Sequence, residues 1–449
     1  MYECLLKSSL NRISSLMHYF ETETKNVERI AEEGMRRHEF GARIENYLRY
    51  LAFADDEELK SDRAKEYTKK ISKYIKVTGN PVANSASEKK ITYQYVKKEY
   101  APKAGNTEEE WNRYHQYKEM PLIHGSASLT MLVTRFEEFV SWYLETLYVQ
   151  FPEKYLNNQH LTFAEVSGAE FKELKKRLVA REVGSKMRES HKEWFKLYTS
   201  HGLSCKSFEG DLDALSEIYA RRNLLVHNSG IVNDKYLREA PAPKAKLGES
   251  LTVDMAYMRN AFDTVTKIIV LMLIESSKLE KAGEGDCLRA IFRTLFDYLQ
   301  QGRYNVCKSA YAVLSEKNEL DEKTRLMSKF NRWICAIALG ELLEKEEIQT
   351  FDVSALSDEF KLAKAVLLED YETTNSLLKK MLRADQWWAS AIEKWPLFMW
   401  YRTSEAYGAL KQELPSVFNV MTFEQERDND DASCADDSVE ARKAPPFEE

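Results

Sequence analysis

Residues 211–230 read DLDALSEIYARRNLLVHNSG, and the interpretation of the whole chain starts from this stretch. Its apolar residues recur at steps of three and four, which predicts an amphipathic helix that Gly230 ends. The apolar stripe consists of Leu212, Leu215, Ile218, Tyr219, Leu225 and Val226. Arg222 interrupts the stripe where the spacing from Tyr219 to Val226 requires a core residue. Because an arginine is rarely buried without a partner, we expect Arg222 to be paired.

Two further polar side chains lie near the end of this helix. Asn223 follows Arg222, and His227 lies one turn beyond Asn223, so Asn223 and His227 project from the same face. In the last turn, His227 is close to the negative end of the helix dipole, which favours the protonated imidazole. The sequence therefore places a guanidinium, an amide and an imidazole near one end of an otherwise apolar helix.

These three groups suit the cleavage of RNA by its own 2′-hydroxyl. An imidazole titrates near neutrality, and the planar guanidinium can stabilise charge on the phosphoryl oxygens. The reaction requires no metal, and we expect no cofactor. The alternative interpretation is a surface arginine and a histidine that only interacts with the helix dipole. Of the eight histidines in the chain, only His227 has an arginine five residues before it.

The string Arg222-Asn223-Leu-Leu-Val-His227 resembles the Arg-polar-x-x-x-His signature of the HEPN superfamily, and the stretch Asn228–Leu237 is similar to the residues after this signature in many bacterial members. The likeness covers residues 121–279. It implies a helical domain that forms homodimers, so that two copies of the motif make one metal-independent ribonuclease site. Such proteins often act in phage defence or as toxins. By position, Arg222, Asn223 and His227 would be the catalytic residues.

In such a site, Arg222 would bind and polarise the scissile phosphate, His227 would handle the proton or stabilise charge, and Asn223 would orient them or the ribose. The products would carry a 2′,3′-cyclic phosphate and a 5′-hydroxyl, and DNA would resist cleavage. Two other functions remain open. One is a non-catalytic scaffold in which the motif binds RNA or a nucleotide, or holds a dimer together; the other is a structural adaptor without a nucleic-acid role.

Composition and charge favour a mostly helical protein in two or three domains. The chain has 449 residues, of which 43% are hydrophobic and 31% charged, with a net charge of −7. Residues 421–449 contain ten acidic and three basic residues, so this acidic segment accounts for the whole net charge. The cysteines show no Cys-x-x-Cys spacing, and residues 1–20 lack the pattern of a signal peptide. We expect a cytoplasmic protein without a membrane segment.

We predict an all-α protein with four regions. Residues 1–118 form a mostly helical, basic region, 119–280 the HEPN-like bundle, 286–420 a set of helical repeats, and 421–449 a disordered acidic tail. In the first region, Lys60–Lys103 is rich in lysine and tyrosine and is a candidate RNA-binding surface, with one short strand around Ile91–Tyr95. A solvated lysine-rich helix followed by an ordinary strand is the alternative.

The pattern beyond the motif predicts further helices. In the bundle these span Leu129–Phe151, Met255–Leu279 and the basic stretch Phe171–Tyr198, which could face RNA or simply be solvated. Tyr298–Tyr304 looks like the turn of a tetratricopeptide-type repeat, and a second copy begins at Leu367. Because stacked helical repeats usually bind proteins, we expect this region to bind a regulatory partner.

Overall fold

The computed structural model describes residues 8–31, 107–156 and 170–415, except residues 242, 281–282, 342–343 and 386, together with Phe418 and short pieces between residues 65 and 96. Within this part of the chain the protein is almost entirely helical, which confirms the all-α prediction. None of its helices combines the length and the apolar character that crossing a membrane requires. The acidic segment and most of the stretch Lys60–Lys103 lie outside the described residues.

The helices occur along the whole described chain. Residues 8–31 form α1. The others are α2 Thr107–Gln150, α3 Pro152–Tyr155, α4 Phe171–Lys186, α5 His191–Ser200, α6 Leu212–Asn228, α7 Asp234–Glu239, α8 Met255–Ser276, α9 Glu284–Gln300, α10 Tyr304–Ser315, α11 Glu322–Ala338, α12 Glu344–Thr350, α13 Asp358–Leu367, α14 Tyr371–Ala384, α15 Trp387–Lys394 and α16 Glu405–Glu413.

Four short strands precede α2. They are β1 Ile75–Val77, β2 Val82–Ser85, β3 Glu88–Lys90 and β4 Tyr93–Tyr95. β1 pairs with β4 in antiparallel orientation, with Ile75 opposite Tyr95, and β2 pairs with β3. The alternation of Ile91, Tyr93 and Tyr95 predicts one short strand, and β4 confirms it; its partner β1 carries no comparable signal.

The chain forms two compact units. The motif unit contains residues Ser9–Val140 and Asp213–Phe262, and the C-terminal unit contains Met1–Ser8, Ser141–Leu212 and Asp263–Glu449. The motif unit has a core of α2 side chains and a second cluster around α6 and α7. The α2 residues are Leu129, Leu132, Val133, Phe136, Phe139 and Val140. The second cluster consists of Ala220, Leu224, Val232, Tyr236 and Ala240.

Helix α6 has the predicted position, but one residue of its predicted stripe faces solvent. Leu215, Ile218, Tyr219 and Leu225 are buried as expected. Val226 is 53% exposed, so its assignment to the core was wrong. The core position in that turn belongs to Leu224, which packs in the second cluster. Leu224 and Val226 lie about 200° apart around the helix axis, so the second cluster covers a different side of this turn from the one that the spacing selected.

Gly230 ends α6, as the sequence predicts. Its φ of +78° is in the left-handed region, and its N–H donates to the Leu224 carbonyl at 3.3 Å. A Cβ at this position would lie 2.6 Å from the carbonyl oxygen of Leu251. The turn after α6 therefore requires glycine both for backbone conformation and for space.

We predict that Gly230→Ala destabilises the protein more than Gly202→Ala does. Gly202 has a similar φ of +82°, but a Cβ added there would have no other atom within 4 Å. The control change should cost about 1 kcal/mol from backbone conformation alone, and Gly230→Ala at least about 2 kcal/mol. Urea unfolding of both variants measures the difference, and equal costs would contradict the steric argument.

In the C-terminal unit, successive helices pack against each other along the chain. α9 ends at Gln300, Gly302 has a φ of +74°, and α10 begins at Tyr304. A corresponding turn, with Glu369 at a φ of +59°, joins α13 to α14. Both segments that resemble a repeat are therefore helix–turn–helix elements. Their assignment to a tetratricopeptide array stays a prediction.

Candidate functional site

Arg222 forms an ion pair with an acidic residue of another helix. Its Nη2 donates to Oε1 of Glu137 on α2 at 3.1 Å. The side chain of Arg222 is 24% exposed and that of Glu137 is 34% exposed. The pair thus lies at the edge of the bundle, between the buried α2 residues Phe136 and Val140 and solvent. The expectation that Arg222 is paired is confirmed.

Tyr219 completes this site from the preceding turn of α6. Its ring is buried, and its hydroxyl interacts electrostatically with the Glu137 carboxylate. The central guanidinium carbon of Arg222 lies 5.7 Å from the centroid of the Tyr219 ring, within the range of a cation–π contact. Glu137 therefore accepts a hydrogen bond from Arg222 and interacts electrostatically with Tyr219, one turn earlier on α6. We call Glu137, Tyr219 and Arg222 the Arg222 site.

Burial affects the protonation of both acidic groups in the Arg222 site. It raises the pKa of Glu137 above its ordinary value of 4.5, although the charge of Arg222 acts in the opposite direction. Burial and the neighbouring Glu137 carboxylate raise the pKa of Tyr219. The tyrosine is therefore a hydrogen-bond donor at neutral pH, and the carboxylate is partly desolvated despite its cationic partner.

The Arg222 guanidinium is incompletely satisfied. Its Nε is buried and has no hydrogen-bond partner among the described residues. A buried donor without a partner costs about 1–3 kcal/mol, so this arrangement is not the most stable one available to an arginine. An acceptor with several oxygens, such as a phosphate, could satisfy more of the guanidinium than the single Glu137 contact does.

Asn223 and His227 lie on another side of α6. Asn223 is half-buried, and His227 is exposed in the last helical turn, as predicted. Residues five apart on an α-helix are separated by about 140° around the axis and about 7.5 Å along it, so Arg222 and His227 point in different directions. No hydrogen bond between side chains of the described residues joins any two of Arg222, Asn223 and His227. Within one chain, the three side chains lie near the same end of α6 but do not converge on one point.

A second polar network surrounds Arg221. Its Nε donates to Oε1 of Glu217 at 2.8 Å, its Nη1 donates to the Thr252 carbonyl at 3.0 Å, and its guanidinium carbon lies 3.9 Å from the centroid of the Tyr257 ring. Glu217 also accepts from the hydroxyls of Tyr236, at 2.8 Å, and Tyr257, at 2.7 Å. These contacts connect α6 with α7, with the start of α8 and with the loop between α7 and α8.

The adjacent arginines of α6 thus have different environments. Burial and the hydrogen bond to Glu217 raise the pKa of Tyr236 to about 12 and raise that of Tyr257 further, which keeps both hydroxyls as donors. Arg221 makes two hydrogen bonds and a ring contact, and is structural. Arg222 makes a single hydrogen bond and a longer ring contact to Tyr219, and its side chain is 24% exposed against 16% for Arg221.

We predict that Tyr257→Phe lowers the free energy of unfolding by about 1–3 kcal/mol, because it removes a hydrogen bond to the charged Glu217 and leaves the packing volume nearly unchanged. Lys235→Ala is the control, since Lys235 is 62% exposed and lies 3.9 Å from its partner Glu239. It should cost less than about 0.5 kcal/mol. Urea unfolding measures both, and similar costs would show that the network does not hold the unit together.

The Arg222 site also makes a pH-dependent contribution to stability. Because the pKa of Glu137 is raised on folding, the unfolded chain loses this proton at a lower pH than the folded chain. The free energy of unfolding of the wild type, relative to Glu137→Gln, should therefore fall as pH rises from 4.5 through the folded pKa, and then level off. Unfolding in urea at a series of pH values tests this. A relative stability that rises with pH would contradict the assignment.

Sequence reasoning identified Arg222, Asn223 and His227 but missed Glu137 and Glu217. The need for an acidic partner follows from the position of Arg222, yet nothing in the sequence selects Glu137 among the 72 acidic residues. Within the described part of the chain, no group of three His, Cys, Asp or Glu side chains is placed to hold a metal ion. The predicted roles of the motif residues stay predictions.

Comparisons with known proteins do not identify the chain. It matches no protein-family model, no curated protein and no solved structure. The resemblance to the HEPN superfamily therefore rests on the motif residues and on the helices that carry them.

Proposed function

We propose that the protein is a metal-independent endoribonuclease in which Arg222 binds the scissile phosphate and His227 transfers a proton. The observation that carries this proposal is the state of Arg222. Its guanidinium is paired with Glu137, its side chain is still 24% exposed, and it lies on the same helix as the exposed His227. A positioned cation and a histidine that is accessible to solvent are the groups that this reaction needs.

In the proposed reaction the 2′-oxygen attacks phosphorus and loses its proton, while the bond from phosphorus to the 5′-oxygen breaks. Arg222 stabilises the charge on the non-bridging oxygens, and Glu137 keeps the guanidinium oriented. His227 gives a proton to the leaving 5′-oxygen, and Asn223 orients the ribose or the imidazole. The products carry a 2′,3′-cyclic phosphate and a 5′-hydroxyl.

The geometry of α6 favours a site shared by two copies of the chain. Because Arg222 and His227 diverge around the helix axis, two motifs facing each other offer a way to bring their groups to one phosphate. Val226 and Ile231 are 53% and 41% exposed at and just after the end of α6, where a second copy of the chain could cover them. We therefore propose a homodimer as the active form.

The test is cleavage of total RNA in EDTA by the wild type, Arg222→Ala and His227→Ala. Loss of a charge-stabilising or proton-transferring group should reduce the cleavage rate at least about 100-fold. Arg259→Ala and His18→Ala are matched controls, because both residues are exposed and lie in the motif unit outside the motif. Both controls should cleave like the wild type, and DNA should be left intact.

The ends of the products and the fold of the variants make this test decisive. We expect 2′,3′-cyclic phosphate and 5′-hydroxyl ends from the wild type, and melting curves for the control variants that match it. Folded variants at Arg222 and His227 that cleave as fast as the wild type would rule out the proposed roles. Growth arrest on induction, abolished by the same two substitutions, would support a toxin or phage-defence role.

A second candidate function is non-catalytic binding. The ion pair with Glu137 favours it, because a guanidinium that already has a carboxylate partner can serve as a structural element of a scaffold. Such a protein would bind RNA in a salt-dependent manner, or recruit a partner protein through the C-terminal helices, without turnover. Binding that persists in the absence of any cleavage would favour this function over the nuclease.

A further inference from the structure

A basic surface lies on α14 of the C-terminal unit, far along the chain from the motif. The exposed side of this helix lines an open cavity of about 650 Å³ with residues that recur at steps of three and four. They are Glu372, Asn375, Ser376, Lys379, Lys380 and Arg383. Three of the six are cations and they occupy the last two turns. We call Lys379, Lys380 and Arg383 the α14 basic face.

The cations of the α14 basic face form only weak ion pairs with other described residues. Lys379 forms an ion pair of 2.5 Å with Glu413, and Lys380 one of 2.7 Å with Asp358. Lys380 is 72% exposed, and exposed pairs contribute about 0–1 kcal/mol, so they can exchange partners at little cost. Arg383 is exposed and has no ion pair or hydrogen bond with any described residue. The α14 basic face can therefore bind further carboxylates.

The described part of the chain ends next to α14. Asn375 of α14 donates to the carbonyl of Ala406 in α16 at 3.1 Å, and Lys379 contacts the end of α16 through Glu413. Beyond α16, the ring of Phe418 packs edge-on against Tyr407, with ring centroids 6.0 Å apart. The described chain thus ends at Phe418 beside α16, which packs against the helix that carries the basic face, and the acidic segment, residues 421–449, follows in the sequence.

The acidic segment has the complementary charge. Between residues 424 and 440 it contains eight carboxylates and one arginine. The 31 residues after Phe418 can span up to about 100 Å when extended, so reach does not limit the contact. Because only two residues connect the segment to Phe418, its effective concentration at α14 is about millimolar, which makes even a weak ionic contact well populated.

We propose that the acidic segment of the chain binds to the α14 basic face through its carboxylates. The contact is intramolecular and electrostatic, so salt weakens it. It would occupy a surface of the C-terminal unit that is otherwise open to an acidic partner. The inference does not depend on the proposed nuclease activity, because it rests on the charges and geometry of α14, α16 and the acidic segment alone.

Zero-length cross-linking of carboxylates to amines in the full-length protein tests the proposal. Trypsin releases Asp428–Arg442, which contains six of the carboxylates, as one peptide that mass spectrometry can follow. Lys196 is the matched control. It is 71% exposed and forms an ion pair of 2.6 Å with Glu193, so its exposure and its pairing closely resemble those of Lys380. Mixing isotope-labelled and unlabelled chains separates links within one chain from links between chains.

We expect the peptide to link to Lys379 and Lys380 at least about fivefold more often than to Lys196 in about 50 mM salt, and about equally in about 1 M salt. Arg383→Glu, which leaves both lysines in place, should reduce the excess. Equal linking to Lys196 at low salt, or a preference for another lysine cluster, would overturn the proposal. Links found mainly between differently labelled chains would also overturn it and would point to a second copy as the occupant.

Discussion

The ion pair between Arg222 and Glu137 is the interaction on which the functional interpretation depends. Removing two charges from water is expensive, and a pair of apolar residues of similar size often stabilises a protein equally well. Here the cost is visible on both partners, since burial raises the pKa of Glu137 and the Nε of Arg222 has no acceptor among the described residues. A pair that does not maximise stability is easier to understand if it serves another purpose. Holding a guanidinium in position for a phosphate is such a purpose.

The contrast with Arg221 makes this interpretation specific. Arg221 and Arg222 are neighbours on α6, so helix propensity and local composition cannot distinguish them. Arg221 donates to Glu217 and Thr252 and stacks on Tyr257, which accounts for its role in holding the motif unit together. Arg222 has one hydrogen bond, to Glu137, and keeps exposed surface. The same residue type is thus used once for structure and once in a form that can take a ligand.

Much of the fold could be predicted from residue spacing. The periodic apolar residues were sufficient to place α6 and α8, and the left-handed turn at Gly230 was expected from glycine alone. The helix predicted over Leu129–Phe151 ends at Gln150 as expected but begins at Thr107, which the spacing missed because the residues before Leu129 lack the apolar periodicity. The assignment of Val226 to the core failed because the last turn of α6 is covered on the side of Leu224, about 200° away around the helix axis. Spacing defines a face of a helix, whereas burial depends on what packs against it.

The partners in the site could not be predicted, because they are far apart in the sequence. Glu137 lies 85 residues before Arg222, and the network around Glu217 draws on residues up to 40 positions away. Charge alone does not select one carboxylate from many; only the packing of α2 against α6 does. The need for a partner was therefore predictable from physical principles, while its identity required the three-dimensional structure.

The most direct test of the account is the charge-exchanged double variant Arg222→Glu/Glu137→Arg, compared with each single variant. Exchange restores opposite charges between α2 and α6, so the double variant should recover most of the stability that either single variant loses. It moves the guanidinium to the other helix, so RNA cleavage in EDTA should remain lost. A double variant that is stable and cleaves RNA like the wild type would contradict the claim that Arg222 is positioned to bind the scissile phosphate.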